Sequence, residues 1–145
     1  MQRIDFSELE SVLDEAEMRA SVEGRAVLQA GRRMISQKEL VIGSCWDYID
    51  AIYRRAGYPS KRQKTLYETN EAGPYSGLSE IQPGDWLYFI NHSYGDVEHS
   101  AIFVEWIDRA AGEALMLSYA GGDRQEPARY KSYELSSVYT IIRGE

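Results

Sequence analysis

Apolar residues recur with helical spacing through the first part of the chain. The stretch 7–20 carries one apolar stripe and begins with Ser7 and Glu10, which stand three positions apart as in a capping box. Gly24 interrupts the stripe, and a second amphipathic stretch follows it. The pattern therefore predicts two helices in an N-terminal part, residues 1–35, that covers the core.

A third helical pattern begins at Cys45, the only cysteine in the chain. Ser44 precedes it as a plausible N-cap, and Gly57 followed by Pro59 is a usual helix stop. We therefore predict a helix from Cys45 to about Gly57. Its predicted buried face consists of Trp46, Ile49, Ile52, Tyr53 and Ala56.

The pattern changes to short apolar runs after Pro83-Gly84-Asp85, and residues 58–79 before them are polar and predict a long loop. Short hairpin connections indicate an antiparallel meander packed on the cysteine helix. The expected fold is α+β in a single domain, with residues 36–145 as the catalytic core. The predicted strands are 86–90, 99–106, 114–119 and 137–143.

Composition narrows the possible partners. The 16 Lys and Arg residues against 23 Asp and Glu residues give a net charge of −7, which argues against nucleic acid as a partner. No apolar run reaches the length of a membrane span. The first residues lack the apolar core of a signal peptide, so we expect a cytoplasmic protein, or an exported one whose leader has been removed.

Cys45 is the candidate nucleophile because a helix N-terminus favours the thiolate over the thiol. A nucleophilic cysteine needs a base, and the chain contains only His92 and His99. His99 opens a predicted strand, whereas His92 lies in a polar turn, so His99 is the better base. Alternation places His99, Ala101 and Phe103 on one face, which we expect to pack on the cysteine helix.

Three segments in order resemble the NlpC/P60 superfamily of compact papain-like cysteine peptidases. They are the helix that Cys45 begins, the turn and strand 81–89, and the strand 99–104 that His99 opens. The sequence Gly43-Ser44-Cys45-Trp46 is also close to the nucleophile signature of papain-like proteases, but the histidine follows only 54 residues after the cysteine. The resemblance covers roughly residues 43–143.

The resemblance implies a papain-like fold and hydrolysis of an amide bond, most often in the peptides of bacterial peptidoglycan. It also implies a polar third group on the next strand, for which Ser118 is the positional match and Asp123 is an alternative. Glu105 shares the His99 face but lies six residues along the strand, about 20 Å away, which is too far. The chain departs from the family where Ser44-Cys45-Trp46-Asp47 replaces the usual Asp-Cys-Ser-Gly. It departs again in having no tyrosine shortly before the cysteine.

The expected mechanism is proton transfer from Cys45 to His99, attack on a carbonyl and an acyl-enzyme. The Cys45 amide, and Gln37 on side-chain chemistry alone, are candidate oxyanion donors. No metal or other cofactor is expected, because two histidines without further ligands at metal spacing do not form a zinc site. The candidate substrate contacts are Trp46, Asp47, Tyr119 and Arg124, with Arg129 as a second arginine for a carboxylate.

Two other functions remain open on the sequence. One is a binding or regulatory module that keeps this fold without turnover, which the two departures favour. The other is a thiol acyltransferase that uses the same cysteine and histidine.

Overall fold

The computed structural model describes residues 6–121 and 126–145, and these residues form an α+β fold. Three helices precede or flank a sheet of six antiparallel strands. The helices are α1 (Phe6–Arg19), α2 (Val22–Ser36) and α3 (Cys45–Ala56). The strands are β1 (Gln63–Glu68), β2 (Trp86–Asn91), β3 (Val97–Asp108), β4 (Glu113–Ser118), β5 (Arg129–Glu134) and β6 (Val138–Gly144).

The strand order is β1-β6-β2-β3-β4-β5. Strands β2 to β4 form a meander, as the sequence predicts, and β5 extends it, but β6 returns across the sheet and pairs with both β1 and β2. The predicted continuous meander is therefore wrong for the last strand. The apolar run of β6 is equally compatible with either edge of the meander, so its periodicity could not show this crossover.

The sheet carries a separate apolar cluster on each face. One face packs on the three helices, and the cluster there includes Ile49 and Ile52 of α3 with Ile102 and Val104 of β3. The other face forms a second cluster, which residues from the connecting segments close. Its members include Leu87, Phe89, Ala101, Phe103, Met116, Tyr133 and Leu135, with Ile81 from the turn before β2.

The first two helices join at Ser21 rather than at Gly24. Ser21 is the N-cap of α2, and its side chain accepts a hydrogen bond from the Gly24 amide at 3.0 Å. Gly24 lies inside α2. A glycine is required there because a Cβ would stand 2.3 Å from the carbonyl oxygen of Pro83. The glycine that the sequence indicates as a break is instead a point of close backbone contact between α2 and the turn before β2.

Two strands lie where the sequence predicts loops. The predicted loop 58–79 contains β1, and the segment after β4 contains β5, an edge strand of sequence Arg-Tyr-Lys-Ser-Tyr-Glu. Both strands are at the edges of the sheet, where solvent-facing positions carry polar side chains. Their polar composition therefore hides them from a search for apolar runs.

The cysteine helix begins and ends as predicted. Its first residue is Cys45, and Gly57 adopts the left-handed conformation at its C-cap, with φ at +100°. The buried face differs in one respect, because Tyr48 is fully buried whereas Trp46 is 45% exposed. Tyr53 on this face donates a hydrogen bond of 2.6 Å to the Gly84 carbonyl and so ties α3 to the turn before β2.

Candidate active site

The capping of α3 fixes the backbone around Cys45. Ser44 has extended backbone angles, and the Asp47 carboxylate accepts hydrogen bonds from its amide at 2.8 Å and its hydroxyl at 3.1 Å. The first helical hydrogen bond runs from the Tyr48 amide to the Ser44 carbonyl, so the amides of Cys45 and Trp46 precede it. Asp47, a predicted substrate contact, therefore acts in the cap of the helix.

Tyr119 supports the segment that leads to the nucleophile. Its hydroxyl donates to the Val41 carbonyl at 2.9 Å and accepts from the Val41 amide at 3.1 Å. Its ring stacks on Tyr48 of α3 with 4.2 Å between centroids, and the side chain is only 3% exposed. This placement corrects the expectation that Tyr119 contacts substrate, because a buried ring with a doubly bonded hydroxyl offers no surface to a ligand.

Gly121 lies directly against the backbone of the nucleophile. Its φ is +76°, and a Cβ there would come within 2.9 Å of the Cys45 nitrogen and of Ser44 backbone carbons. Only glycine avoids both the conformational cost and the clash. The end of β4 and the start of α3 are thus held together through this residue.

We expect Gly121→Ala to destabilise the fold by about 1–3 kcal/mol and to change the rate of Cys45 alkylation, because the new methyl group displaces the start of α3. Gly95→Ala is the matched control. Gly95 also has positive φ, at +65°, but has open space around it. Urea unfolding and alkylation kinetics of both variants measure the difference, and equal effects at the two positions would show that the contact with Cys45 is unimportant.

His99 is held by two hydroxyl groups. Its Nε2 lies 2.9 Å from Ser118 Oγ and 3.3 Å from Tyr133 Oη, and these two oxygens are 2.8 Å apart. The rings of His99 and Phe89 meet edge to face, with centroids 5.6 Å apart. Among the described residues, no hydrogen bond engages His99 Nδ1. The imidazole is therefore oriented through Nε2, and Nδ1 is the nitrogen available to exchange a proton.

The Cys45 thiol meets the start of β3 through Ser100. The Ser100 hydroxyl lies 3.7 Å from Cys45 Sγ and donates a hydrogen bond to it. No direct hydrogen bond between Cys45 and His99 occurs in the described part of the chain. Ser100 and His99 are consecutive in β3, so their side chains lie at the same end of the sheet but point to opposite faces of the strand.

The face of β3 that packs on α3 differs from the expected one. Ile102 and Val104 face the helices, whereas Ala101 and Phe103 belong to the cluster on the other side of the sheet. His99 shares the second face by alternation, so the expectation that Ala101 makes room for the cysteine helix is wrong. Alternation shows which residues share a face but not which face meets the helix.

The surroundings of His99 oppose a charge on its ring. Burial lowers the pKa of His99 to about 4, and the cationic side chains of Lys131 and Arg129 contribute to this shift. The ring is therefore neutral at neutral pH in the ligand-free protein. The resting His99 is therefore a neutral base.

Aromatic side chains form a wall beside the thiol. The Trp46 indole nitrogen donates to Tyr88 Oη at 3.0 Å, and the Trp46 ring lies 5.6 Å from that of buried Trp86. Burial raises the pKa of Tyr88, and the nearby Cys45 adds to the increase. Ile42, which precedes the nucleophile, is fully exposed. An apolar surface therefore adjoins Cys45 on this side.

His92 belongs to a separate arrangement. Its Nδ1 lies 2.8 Å from Asp96 in the turn between β2 and β3, and its Nε2 lies 2.8 Å from the Oγ of Ser137, which precedes β6, so both nitrogens are engaged. Of the alternative third groups, Glu105 accepts from Arg19 of α1 at 2.6 Å. Asp123 lies outside the described residues.

The remaining candidates are Gln37 and two arginines. Gln37 ends α2 and lines a cavity of about 70 Å³ with Glu39 and Arg55. Arg129 is exposed and lies 3.4 Å from Glu126. Arg124, a predicted substrate contact, lies outside the described residues.

Sequence reasoning missed Tyr133 and Ser100 as members of the site. Tyr133 lies in a segment for which the sequence predicts a loop. Its contact with His99 can be inferred only when the pairing of β4 with β5 is known. Ser100 directly follows the candidate base. Its contact with the thiol can be inferred only when it is known which face of β3 packs on α3. Tyr130 and Tyr133 stand three positions apart, so a period-two search would not have found this strand.

Comparisons of the chain with protein-family models, with curated proteins and with solved structures found no match. In residues 6–121 and 126–145, no three His, Cys, Asp or Glu side chains come together as a possible metal site. None of the helices described has the length and apolar character that crossing a membrane requires.

Proposed function

We propose that this protein is a cysteine hydrolase that cleaves an amide bond in a peptide, with Cys45 as nucleophile and His99 as general base. One observation carries the proposal. His99 is oriented at Nε2 by Ser118 and Tyr133, with Nδ1 left open, while the adjacent Ser100 contacts the Cys45 thiol. A nucleophile, a base and a group that orients the base are the parts that acyl transfer requires.

The proton movements follow from the hydrogen bonds. In the tautomer with a proton on Nε2, His99 donates to Ser118 Oγ and presents a lone pair at Nδ1. On substrate binding, Nδ1 accepts the Cys45 proton while sulfur attacks the carbonyl carbon, and the imidazolium then protonates the leaving amine. Water attacks the thioester with His99 again as base, which releases the acid and the thiol. Catalytic hydrogen bonds often shorten only in the substrate complex.

The start of α3 supplies the electrostatic part of the mechanism. The Cys45 amide precedes the first helical hydrogen bond and is therefore a donor for the developing oxyanion. The exposed side chains Ile42 and Trp46 provide an apolar surface for a substrate side chain. The resemblance to the NlpC/P60 superfamily favours a peptidoglycan stem peptide as the substrate.

Cleavage assays with defined peptides test the proposal. The protein is incubated with peptidoglycan stem peptides and with ordinary short peptides, and products are identified by mass spectrometry. We expect cleavage of an amide bond, a mass increase on Cys45 when the acyl-enzyme is trapped by acid, and neither result with Cys45→Ala. Cleavage that Cys45→Ala retains would contradict the proposal.

The two alternatives give different results in the same assay. A thiol acyltransferase forms the acyl-enzyme but passes the acyl group to an added amine in preference to water. A binding module retains the peptide, measured by calorimetry, without product or acyl-enzyme. The chain departs from the usual NlpC/P60 pattern around the nucleophile, with Trp46 and Asp47 after Cys45. These departures favour the binding module as the second candidate function.

A further inference from the structure

Strand β5 places two cations on the face of the sheet that carries His99. Arg129 pairs in register with Ser118, and Lys131 pairs with Met116, whose side chain belongs to the cluster on that face. Directly paired residues in an antiparallel sheet point to the same side. Arg129, Lys131 and Tyr133 therefore share the face on which Ser118 contacts the imidazole.

The ring of Tyr133 lies between Lys131 and His99 and contacts both side chains. The Lys131 ammonium lies 5.3 Å from the centroid of the Tyr133 ring, and that ring lies 5.4 Å from the ring of His99. No described residue forms an ion pair with Lys131, and among the described residues Arg129 pairs only with the half-exposed Glu126. In a chain of net charge −7, two cations beside the base are an unusual local excess of positive charge.

This positive charge works against the proposed reaction in the free protein. Lys131 and Arg129 both disfavour a proton on His99, and the reaction requires the imidazole to accept one. A bound anion next to the two cations would cancel their field and make His99 a stronger base. The same anion would gain charge-assisted hydrogen bonds.

We propose that Arg129 and Lys131 form an anion subsite beside His99, and that the substrate carries a carboxylate close to its scissile amide. The inference rests on the proposed function, since it assigns a substrate class to the same site. Binding of the carboxylate positions the substrate next to His99 and also permits His99 to take the thiol proton. Neutral substrates lack the second effect and react more slowly.

Two alkylating reagents of similar size test the subsite. Iodoacetate carries a carboxylate and iodoacetamide does not, and the ratio of their rates with Cys45 cancels any change in thiolate fraction. We expect this ratio to exceed that of N-acetylcysteine, measured alongside, by about three- to tenfold at low salt, and to fall toward it in 1 M salt. Lys131→Gln lowers the ratio, and Lys131→Gln with Arg129→Gln returns it to the value of the free thiol.

Arg109→Gln is the matched control, because it removes one exposed cation at the opposite end of β3 and should leave the ratio unchanged. Circular dichroism verifies that each variant is folded. A wild-type ratio equal to that of N-acetylcysteine, or a raised ratio that the double variant keeps, overturns the subsite. Failure of the proposed function is a separate result, namely that His99→Gln leaves the iodoacetamide rate unchanged.

Discussion

Replacing His99 with glutamine is expected to lower the rate of amide cleavage by about 10²- to 10⁴-fold, the range that a general base contributes. Glutamine keeps a polar group near Ser118 and Tyr133 but cannot accept and return a proton. The loss should therefore appear mainly in kcat rather than in KM. Steady-state kinetics on a peptide that the wild-type protein cleaves measure both constants.

His92→Gln is the control for this experiment. His92 is the other histidine of the chain, and its two ring nitrogens are engaged by Asp96 of the same turn and by Ser137 before β6. We expect this variant to keep activity within about threefold of the wild type, since general-base catalysis needs a nitrogen free to exchange protons. Equal losses in the two variants would contradict the assignment of His99 as the base.

Replacing Arg143 with methionine is expected to destabilise the fold by about 3–5 kcal/mol at neutral pH. Arg143 donates two hydrogen bonds of 2.7 Å to the Asp85 carboxylate, whose side chain is only 1% exposed. Burial raises the pKa of Asp85, and Arg143 opposes the increase. Without the guanidinium, the pKa rises further and a buried charge has lost its main partner.

The sign of the pH dependence follows from this shift. The Asp85 carboxyl of Arg143→Met protonates at a higher pH than that of the wild type, so the stability difference between the two proteins shrinks as the pH falls. Arg54→Met is the matched control, because Arg54 pairs with Asp50 at the surface and should cost under about 1 kcal/mol. Urea unfolding between pH 4 and pH 7 measures these values, and a constant difference would contradict the account.

The Asp85 ion pair matters to function through the turn that contains it. Gly84 accepts the hydrogen bond from Tyr53 of the cysteine helix, and its backbone lies against Gly24 of α2. Asp85 also accepts a hydrogen bond of 2.9 Å from the Gln82 amide within the turn. The Pro-Gly-Asp segment, which carries part of the resemblance to the NlpC/P60 superfamily, thus connects the helices to the sheet through hydrogen bonds and close backbone packing.

Local signals predicted the elements on which the site is built. Ser44, Cys45 and Gly57 define a helix with a cap at one end and a left-handed glycine at the other, and both ends lie where these residues indicate. The strands β2, β3 and β4 have dense apolar runs and were found within a few residues of their ends. Such features depend on neighbouring residues alone.

Features that depend on distant pairing could not be predicted in the same way. The crossover of β6, the edge strand β5 and the face of β3 that meets α3 are properties of the assembled sheet. The contact of Tyr133 with His99 spans 34 residues and exists only because β5 pairs with β4. The neutral state of His99 likewise arises from burial and from cations on another strand.

The most direct test of the account is the pH dependence of Cys45 alkylation by iodoacetamide in the wild-type protein and in His99→Gln. Burial lowers the pKa of His99 to about 4, so above that pH the ring is neutral and offers a lone pair as a base, and it loses this lone pair as the pH falls through that value. At pH 5–6, where an ordinary thiol is almost fully protonated, we predict that the wild type reacts on the order of tenfold faster than the variant. The two rates should converge above pH 9. Superimposable profiles over the whole range would contradict the coupling of Cys45 to His99.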